Sequence, residues 1–240
     1  MDVRAHGIQP GRFSERMFRL LDRVEFRCAN ADDDNEEVRR LRYQNDGHGP
    51  IGPRTDDALG EIAYTAKTLV TTTRIDGEFA IGMRIDVARC EDDTLPALAL
   101  FGDVITPYLR KGRTVLELGQ SAVGFGIFKG LPEWPVVSLR PVWLAAEYFD
   151  VDFVIATISV VHQAFYRHMF AFRQWCEPRQ SPNSDRAIAC IGLDFRINRE
   201  QLEARYPFLR STVAERDCLF SRLPPKTSKC ASSGYFRRDC

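Results

Sequence analysis

The sequence predicts an α/β fold in which one mixed central sheet is flanked by helices in a single domain. Three observations predict it. Helix-like and strand-like segments alternate in the order helix, strand, helix, several strands, helix, strand, helix, strand. Two β-rich runs in TLVTTTRIDGEFAIGMRIDV flank Asp76-Gly77, a strong short-range hairpin signal. The β-branched run ATISVV leads straight into HQAFYRHMF, where His162 and Tyr166 stand at helical i,i+4 spacing on one face.

The elements follow in chain order. Residues 1–14 are polar, contain Gly and Pro, and are expected to be loose. FSERMFRLLDRVEF reads as a short helix with Phe13, Met17, Leu20 and Leu21 on one side and Ser14 as its N-cap. VEFRCAN reads as a first strand. DDDNEEVRRLRYQ reads as a helix with acids in its first turn and Arg later, as the helix dipole favours. HGPIGPRTDDALG is a loop, and the hairpin follows it. RTVLELGQSAV is a further strand. PEWPVVSLRPVWLAAEYF is a helix candidate in which Pro141 either lies near the first turn, with a start near Ser138, or kinks the helix. VDFVIATISV is a buried strand, HQAFYRHMFAF a helix and AIACIGLDF a last clear strand. The tail PPKTSKCASSGYFRRDC has few aliphatics and is expected to be disordered. The domain is therefore expected over residues 15–222, with 223–240 as a tail.

Bulk properties narrow the function. A chain of 240 residues with 44% hydrophobic content suits one large domain or two small ones. Lys plus Arg and Asp plus Glu both number 33, and zero net charge argues against a general nucleic-acid binder. The seven cysteines include no CxxC pair and read as reduced thiols. No two Cys or His residues fall at ligand spacing beside a second such pair, so no zinc site is expected. No run of about 18 apolar residues exists and the N-terminus carries no apolar signal core. A cytoplasmic protein without stable membrane insertion is expected.

Several residues are candidates for chemistry. Glu117 lies mid-strand and shares a face with Val115 and Gly119, and a carboxylate there is rarely buried without a partner. Arg84, in the second hairpin strand, is one candidate partner; a structural ion pair or an edge strand in water is the plainer alternative. His162 and Tyr166 start a helix at the C-terminal end of a strand, where α/β sheets tend to bind ligands. Gly124, Gly126 and Gly130 permit a close backbone approach, a weak signal. If Pro141 kinks its helix, Leu139, Val142, Trp143 and Ala146 line an apolar groove.

These residues carry a resemblance. ATISVVHQAFYRHMFAFR is similar to the strand–helix segment of GNAT-type acyltransferases. LRYQ, GMRIDV, LAAEYFDVDFVIATISVVHQAFYRHMF, CEPRQSP and RYPFLRSTVAERDCLF, taken in order from about Leu20 to Phe220, resemble the bacterial long-chain N-acyl amino acid synthases. These are relatives of the acyl-homoserine-lactone autoinducer synthases. The resemblance implies a GNAT-like sandwich with a cleft where two central strands splay. It implies transfer of a long-chain acyl group from the phosphopantetheine thioester of acyl carrier protein to the α-amine of an amino acid, with no permanently bound cofactor.

The resemblance puts Glu117 at the family's acidic position and Arg84 and Arg42 at its arginines, and the chemistry of such a transfer suggests the following roles. Glu117 is the base that deprotonates the acceptor amine. Tyr166 protonates the leaving thiolate. Arg42 and Arg84 clamp the acceptor carboxylate, and Gln120 and His162 join the substrate site. Leu139, Val142, Trp143 and Phe165 line an acyl tunnel. Arg110, Lys111 and Arg113 either dock the acidic carrier protein or form an ordinary solvated loop. The sequence departs from the family where a Thr-Arg or Ser-Arg pair usually follows the acid; Gly119 and Gln120 stand there. Asn45 and Asp46 replace a usual aromatic, and DDALGEIAY offers only Asp56, Asp57 and Glu61 as acids. Two other readings stay open: a GNAT-type transferase using acyl-CoA on another amine, although QSAVGFG is one residue longer than QxxGxG, and a non-catalytic acyl-binding relative.

Overall fold

The computed structural model describes residues 11–28, 68–123, 133–181 and 186–221, with backbone alone at 120–123 and 134. The helix expected over 32–44, the loop over 48–60 and the tail over 223–240 lie outside the described residues. The first helix, α1 (Arg12–Leu21), buries Ser14, Met17 and Leu20. Its N-cap is Gly11, not Ser14, whose side chain is turned into the protein because it shares the face of Met17. Strand β1 (Val24–Cys28) follows. The expected hairpin is formed by β2 (Thr68–Ile75) and β3 (Glu78–Ala88). Its turn puts Asp76 at φ 52° and Gly77 at φ 84°, the left-handed pair that a two-residue hairpin of this hand requires.

Helix α2 (Leu98–Arg110) comes next, then β4 (Val115–Val123) and the single turn α3 (Trp134–Val137). In α4 (Arg140–Tyr148) Pro141 occupies the first turn, where its missing N–H has no intrahelical partner to lose. The helix is therefore a late start rather than a kinked one. Strand β5 (Phe153–Ser159) runs through a 3₁₀ turn at Val160–His162 into α5 (Gln163–Phe170). The short strands β6 (Arg173–Gln174) and β7 (Arg179–Gln180) precede β8 (Ala187–Asp194), α6 (Phe195–Arg205) and α7 (Val213–Phe220).

The eight described strands form one sheet in the order β1-β2-β3-β4-β5-β8-β6, with β7 also on β8. All neighbours are antiparallel except β4 and β5, which run parallel. Strand alternation separates two cores. Leu69, Met83, Ile85, Leu116, Leu118 and Val154 face α1, α4 and α6. Val115, Ile155 and Cys190 face α2 through Phe101, Ile105 and Leu109. Buried Arg140 ties α4 to the C-terminal segment through Glu215 and the carbonyls of Phe208 and Arg210. Cys176, Cys190 and Cys218 are free thiols, whereas Cys90 is disulfide-bonded, which departs from the expectation of wholly reduced cysteines.

Candidate active site

Strands β4 and β5 pair for only four residues, Val115–Leu118 against Phe153–Ala156. Beyond that point β4 continues along β3 as far as Val123, and β5 continues along β8 as far as Ser159. The two strands part at their C-terminal ends, and the edges that face each other carry backbone groups no longer used in a ladder. Glu117 is the last but one residue of the paired stretch on β4. Its side chain points to the α2 face and is 1% exposed.

The Glu117 carboxyl is held from two sides. The N–H of Ala97, at the N-terminus of α2, donates to Oε2 at 2.8 Å, and Thr157 Oγ1 on β5 donates to Oε1 at 3.3 Å. Desolvation outweighs both donors and, with the neighbouring Asp86 charge, pushes the Glu117 pKa up to about 8. Arg84 opposes the rise without touching the carboxylate. Cys190, close by, is no alternative nucleophile, since burial raises its thiol to about 12.

Arg84 is not the direct partner of Glu117 that the sequence offered. Its Nε and Nη2 grip Asp86 at 2.6 and 2.9 Å, and Thr68 Oγ1 also bonds Asp86 at 2.7 Å. Asp86 faces Glu117 directly across β3 and β4. The cluster is thus an Arg84–Asp86 ion pair beside a carboxyl that is mostly protonated at neutral pH. Sequence reasoning missed Asp86, Thr157 and the Ala97 N–H. Asp86 was within reach, because Arg84 and Asp86 alternate inside a strand and so share one face.

The departure at Gly119 has a geometric reason. A register shift lies between Met83 and Ile85, which pair with Ser121 and Leu118, so Gly119 and Gln120 together oppose Arg84. A Cβ at 119 would stand 3.2 Å from Arg84 Cβ and 3.3 Å from its Cγ and carbonyl oxygen. Glycine leaves room beside β4 for the stem of the arginine that grips Asp86.

Other predicted residues are distributed as follows. Tyr166 is half-buried on α5, in edge contact with Phe165 and Phe172, and burial pushes its hydroxyl up to about 12. It packs with Phe165 against the core on the face opposite Glu117. Leu139, Val142 and Trp143 belong to that opposite core as well, with the Trp143 ring against Phe195 and its Nε1 donating to Glu203 at 3.3 Å. They are packed core, and the structure does not bring them to Glu117. Farther along the same face, Phe13, Ser14, Met169, Arg205 and Tyr206 line a cavity of about 350 Å³. His162 is exposed at the start of α5. Arg110 and Arg113 lie at the N-terminal end of β4, away from the parted ends, and are paired with Glu91 and Asp152. Arg42 lies outside the described residues, as do Gly124, Gly126 and Gly130, and only the backbone of Gln120 is described. No group of three or more potential metal ligands occurs among the described residues.

The family model described as N-acyl amino acid synthase FeeM matches residues 37–194. No curated protein matches the sequence. Among solved structures, FeeM, an N-acyl amino acid synthase from uncultured soil microbes, is 15% identical over 76% of this chain and 97% of its own, with a TM-score of 0.61. The CoA-dependent acyl-homoserine lactone synthase BjaI, solved with SAM and isopentyl-CoA, is 11% identical over 78% of this chain and 89% of its own, with a TM-score of 0.52. A GNAT-family acetyltransferase from Streptococcus pneumoniae is 12% identical over 71% and 98%, with a TM-score of 0.46. The fold is GNAT-like: a mixed open sheet flanked by helices, with two parallel strands parted at the centre.

Proposed function

The chain belongs to the family of the N-acyl amino acid synthase FeeM and is an acyltransferase, and from that premise we propose that it joins a long-chain acyl group, delivered on acyl carrier protein, to the α-amine of an amino acid. The observation that carries this reading is the gap between β4 and β5 with a buried carboxyl of pKa about 8 beside it.

The pantetheine thioester enters between the parted strands. Free N–H groups on their facing edges donate to the oxygen that becomes negative as the amine attacks. An amino-acid amine is mostly protonated at neutral pH and needs a base near that pH; ionised Glu117 takes the proton. That first proton passes on to water; as the C–N bond forms the restored carboxylate takes the second proton from nitrogen, and it returns this one to the thiolate as the C–S bond breaks. A hydroxyl of pKa about 12 is too weak an acid to protonate a thiolate fully, so Tyr166 serves on the other face by donating a hydrogen bond to the sulfur. The acyl chain passes through the gap to the aromatic side, along Phe165 and toward the cavity at Phe13, Met169 and Tyr206. Arg84, and Arg42 by the family resemblance, receive the acceptor carboxylate.

The carrier protein approaches the end where the strands part. Val161 is 78% exposed there, and His162, Arg167 and His168 are exposed on the adjoining α5. Apolar contact beside the Arg167 cation suits an acidic helical partner. Arg110, Lys111 and Arg113 lie at the other end of β4 and two of them are already paired, so α5 is the better docking surface.

Mass spectrometry of culture extracts from a bacterium expressing the chain tests the proposal. Acylated amino acids should appear, and should vanish with Glu117→Gln. The purified protein should use acyl–carrier protein in preference to acyl-CoA. Transfer from acyl-CoA alone would replace the donor. Co-purified fatty acid without any product would make the chain an acyl-binding relative.

A further inference from the structure

Among the buried polar side-chain atoms without a hydrogen-bond partner are Arg84 Nη1 and Thr72 Oγ1, both on the Glu117 face. Arg84 is 4% exposed and Thr72 is fully buried. Orphaned polar atoms at this depth are uncommon and need a reason. Register pairs Val70 with Arg84 and Thr72 with Gly82, so Thr72 and Arg84 are diagonal neighbours across β2 and β3 with Cα atoms about 7–8 Å apart. Gly82 stands between them with no side chain. Along β3 the order is therefore Asp86 opposite Glu117, then Arg84, then the bare backbone of Gly82 beside Thr72.

We propose that Thr72 reads the side chain of the amino-acid acceptor. This rests on the function proposed above. The acceptor lies over Gly82 with its amine toward Glu117 and its carboxylate on Arg84 Nη1, the edge of the guanidinium that Asp86 leaves open. Its side chain then ends against the Thr72 hydroxyl. Because Asp86 draws the guanidinium along the strand away from Thr72, the two orphans are roughly 10 Å apart at a rise of ~3.3 Å per residue. Two hydrogen bonds of about 2.9 Å leave roughly 4–5 Å for the ligand between them. That length suits a polar end a few bonds beyond Cα. A neutral end is favoured, because a charge buried at Thr72 would need a partner. The cations nearest Thr72 on this face are engaged elsewhere: Arg27, opposite it on β1, is bound to Glu25, and Arg74, two residues along β2, donates to the Gly77 carbonyl and lies over the Phe79 ring. The acceptor class is an amino acid with a short carboxamide or hydroxyl side chain.

Near-isosteric acceptor pairs test this: asparagine against leucine, and glutamine against methionine. The readout is the ratio of kcat/KM within each pair, measured with the purified chain and one acyl donor. The natural chain should prefer the polar member by about tenfold or more, the worth of one well-made hydrogen bond. Thr72→Val, which keeps the shape, should lower that ratio about tenfold, and Thr72→Ser, which keeps the hydroxyl, should retain it. Equal ratios in all three proteins, with amino acids still acylated, would overturn the role of Thr72 and leave the proposed function standing. Failure of the natural chain to acylate any amino acid would overturn both.

Discussion

Replacing Glu117 with Gln should abolish transfer and yet stabilise the fold at neutral pH. Glutamine fits the same cradle, since its oxygen can accept from the Ala97 N–H and its amide can donate to Thr157. The carboxyl's pKa rises from 4.5 to about 8 in the folded protein. Below pH 4.5 both states are protonated and the stabilising contribution is fully present. Between about 4.5 and 8 the unfolded chain ionises while the folded one does not, and stability falls. At about 1.4 kcal/mol per pH unit the whole loss is on the order of 4–5 kcal/mol. Denaturant midpoints measured from pH 4.5 to 8.5 should therefore diverge, with the natural chain weakening and Glu117→Gln declining less. Glu203 also contributes to the decline, because burial and Glu147 raise its pKa to about 7, but it does so in both proteins. For the natural enzyme kcat/KM should climb with pH and level off above about 8, as the base must be ionised. Parallel midpoint curves for the two proteins would refute the claim that position 117 is buried and hard to ionise.

Three further outcomes are expected. Asp86→Asn leaves the buried Arg84 guanidinium without its counter-charge and should cost about 3–5 kcal/mol, read as a lowered thermal midpoint. Gly192→Ala puts a Cβ within 2.3 Å of the Trp175 ring, and the resulting displacement should cost about 1–3 kcal/mol and alter the near-ultraviolet circular dichroism of the Tyr108–Trp175 stack. Arg167→Glu combined with His168→Glu should raise KM for acyl–carrier protein severalfold in steady-state assays while leaving turnover of a short acyl-pantetheine donor unchanged.

Much of the architecture was legible because it rests on local chemistry. Asp76-Gly77 announced its hairpin, the ATISVV-to-HQAF junction announced β5 and α5, and Pro141 marked a helix start. Helix α2 was not seen, because Gly102, Pro107 and the β-branched run Val104–Thr106 dilute its helical signal; what stabilises it is its buried face of Phe101, Ile105 and Leu109. Helices α6 and α7 were also missed, since few of their residues are buried and their side-chain caps, Asp194 and Thr212, are the main local cues. Glu117 could be singled out as a strange strand residue. Its environment could not, since Ala97 and Thr157 come from 20 and 40 positions away and meet it only through tertiary packing. For the same reason the sequence could not tell that Trp143 and Glu117 lie on opposite sides of the sheet.

The brief contact between β4 and β5 has a mechanical side. Four residue pairs are the only ladder joining the β1–β4 half of the described sheet to the β5–β8 half. On the proposed function, a pantetheine arm wedged above that seam would bond to both lips at once and act as a keystone. Loading the donor would then stiffen the joint between the two halves of the open sheet, and releasing the spent thiol would let it relax. At a donor concentration a hundredfold above its Kd, the brace would add about 2.7 kcal/mol to the resistance against unfolding.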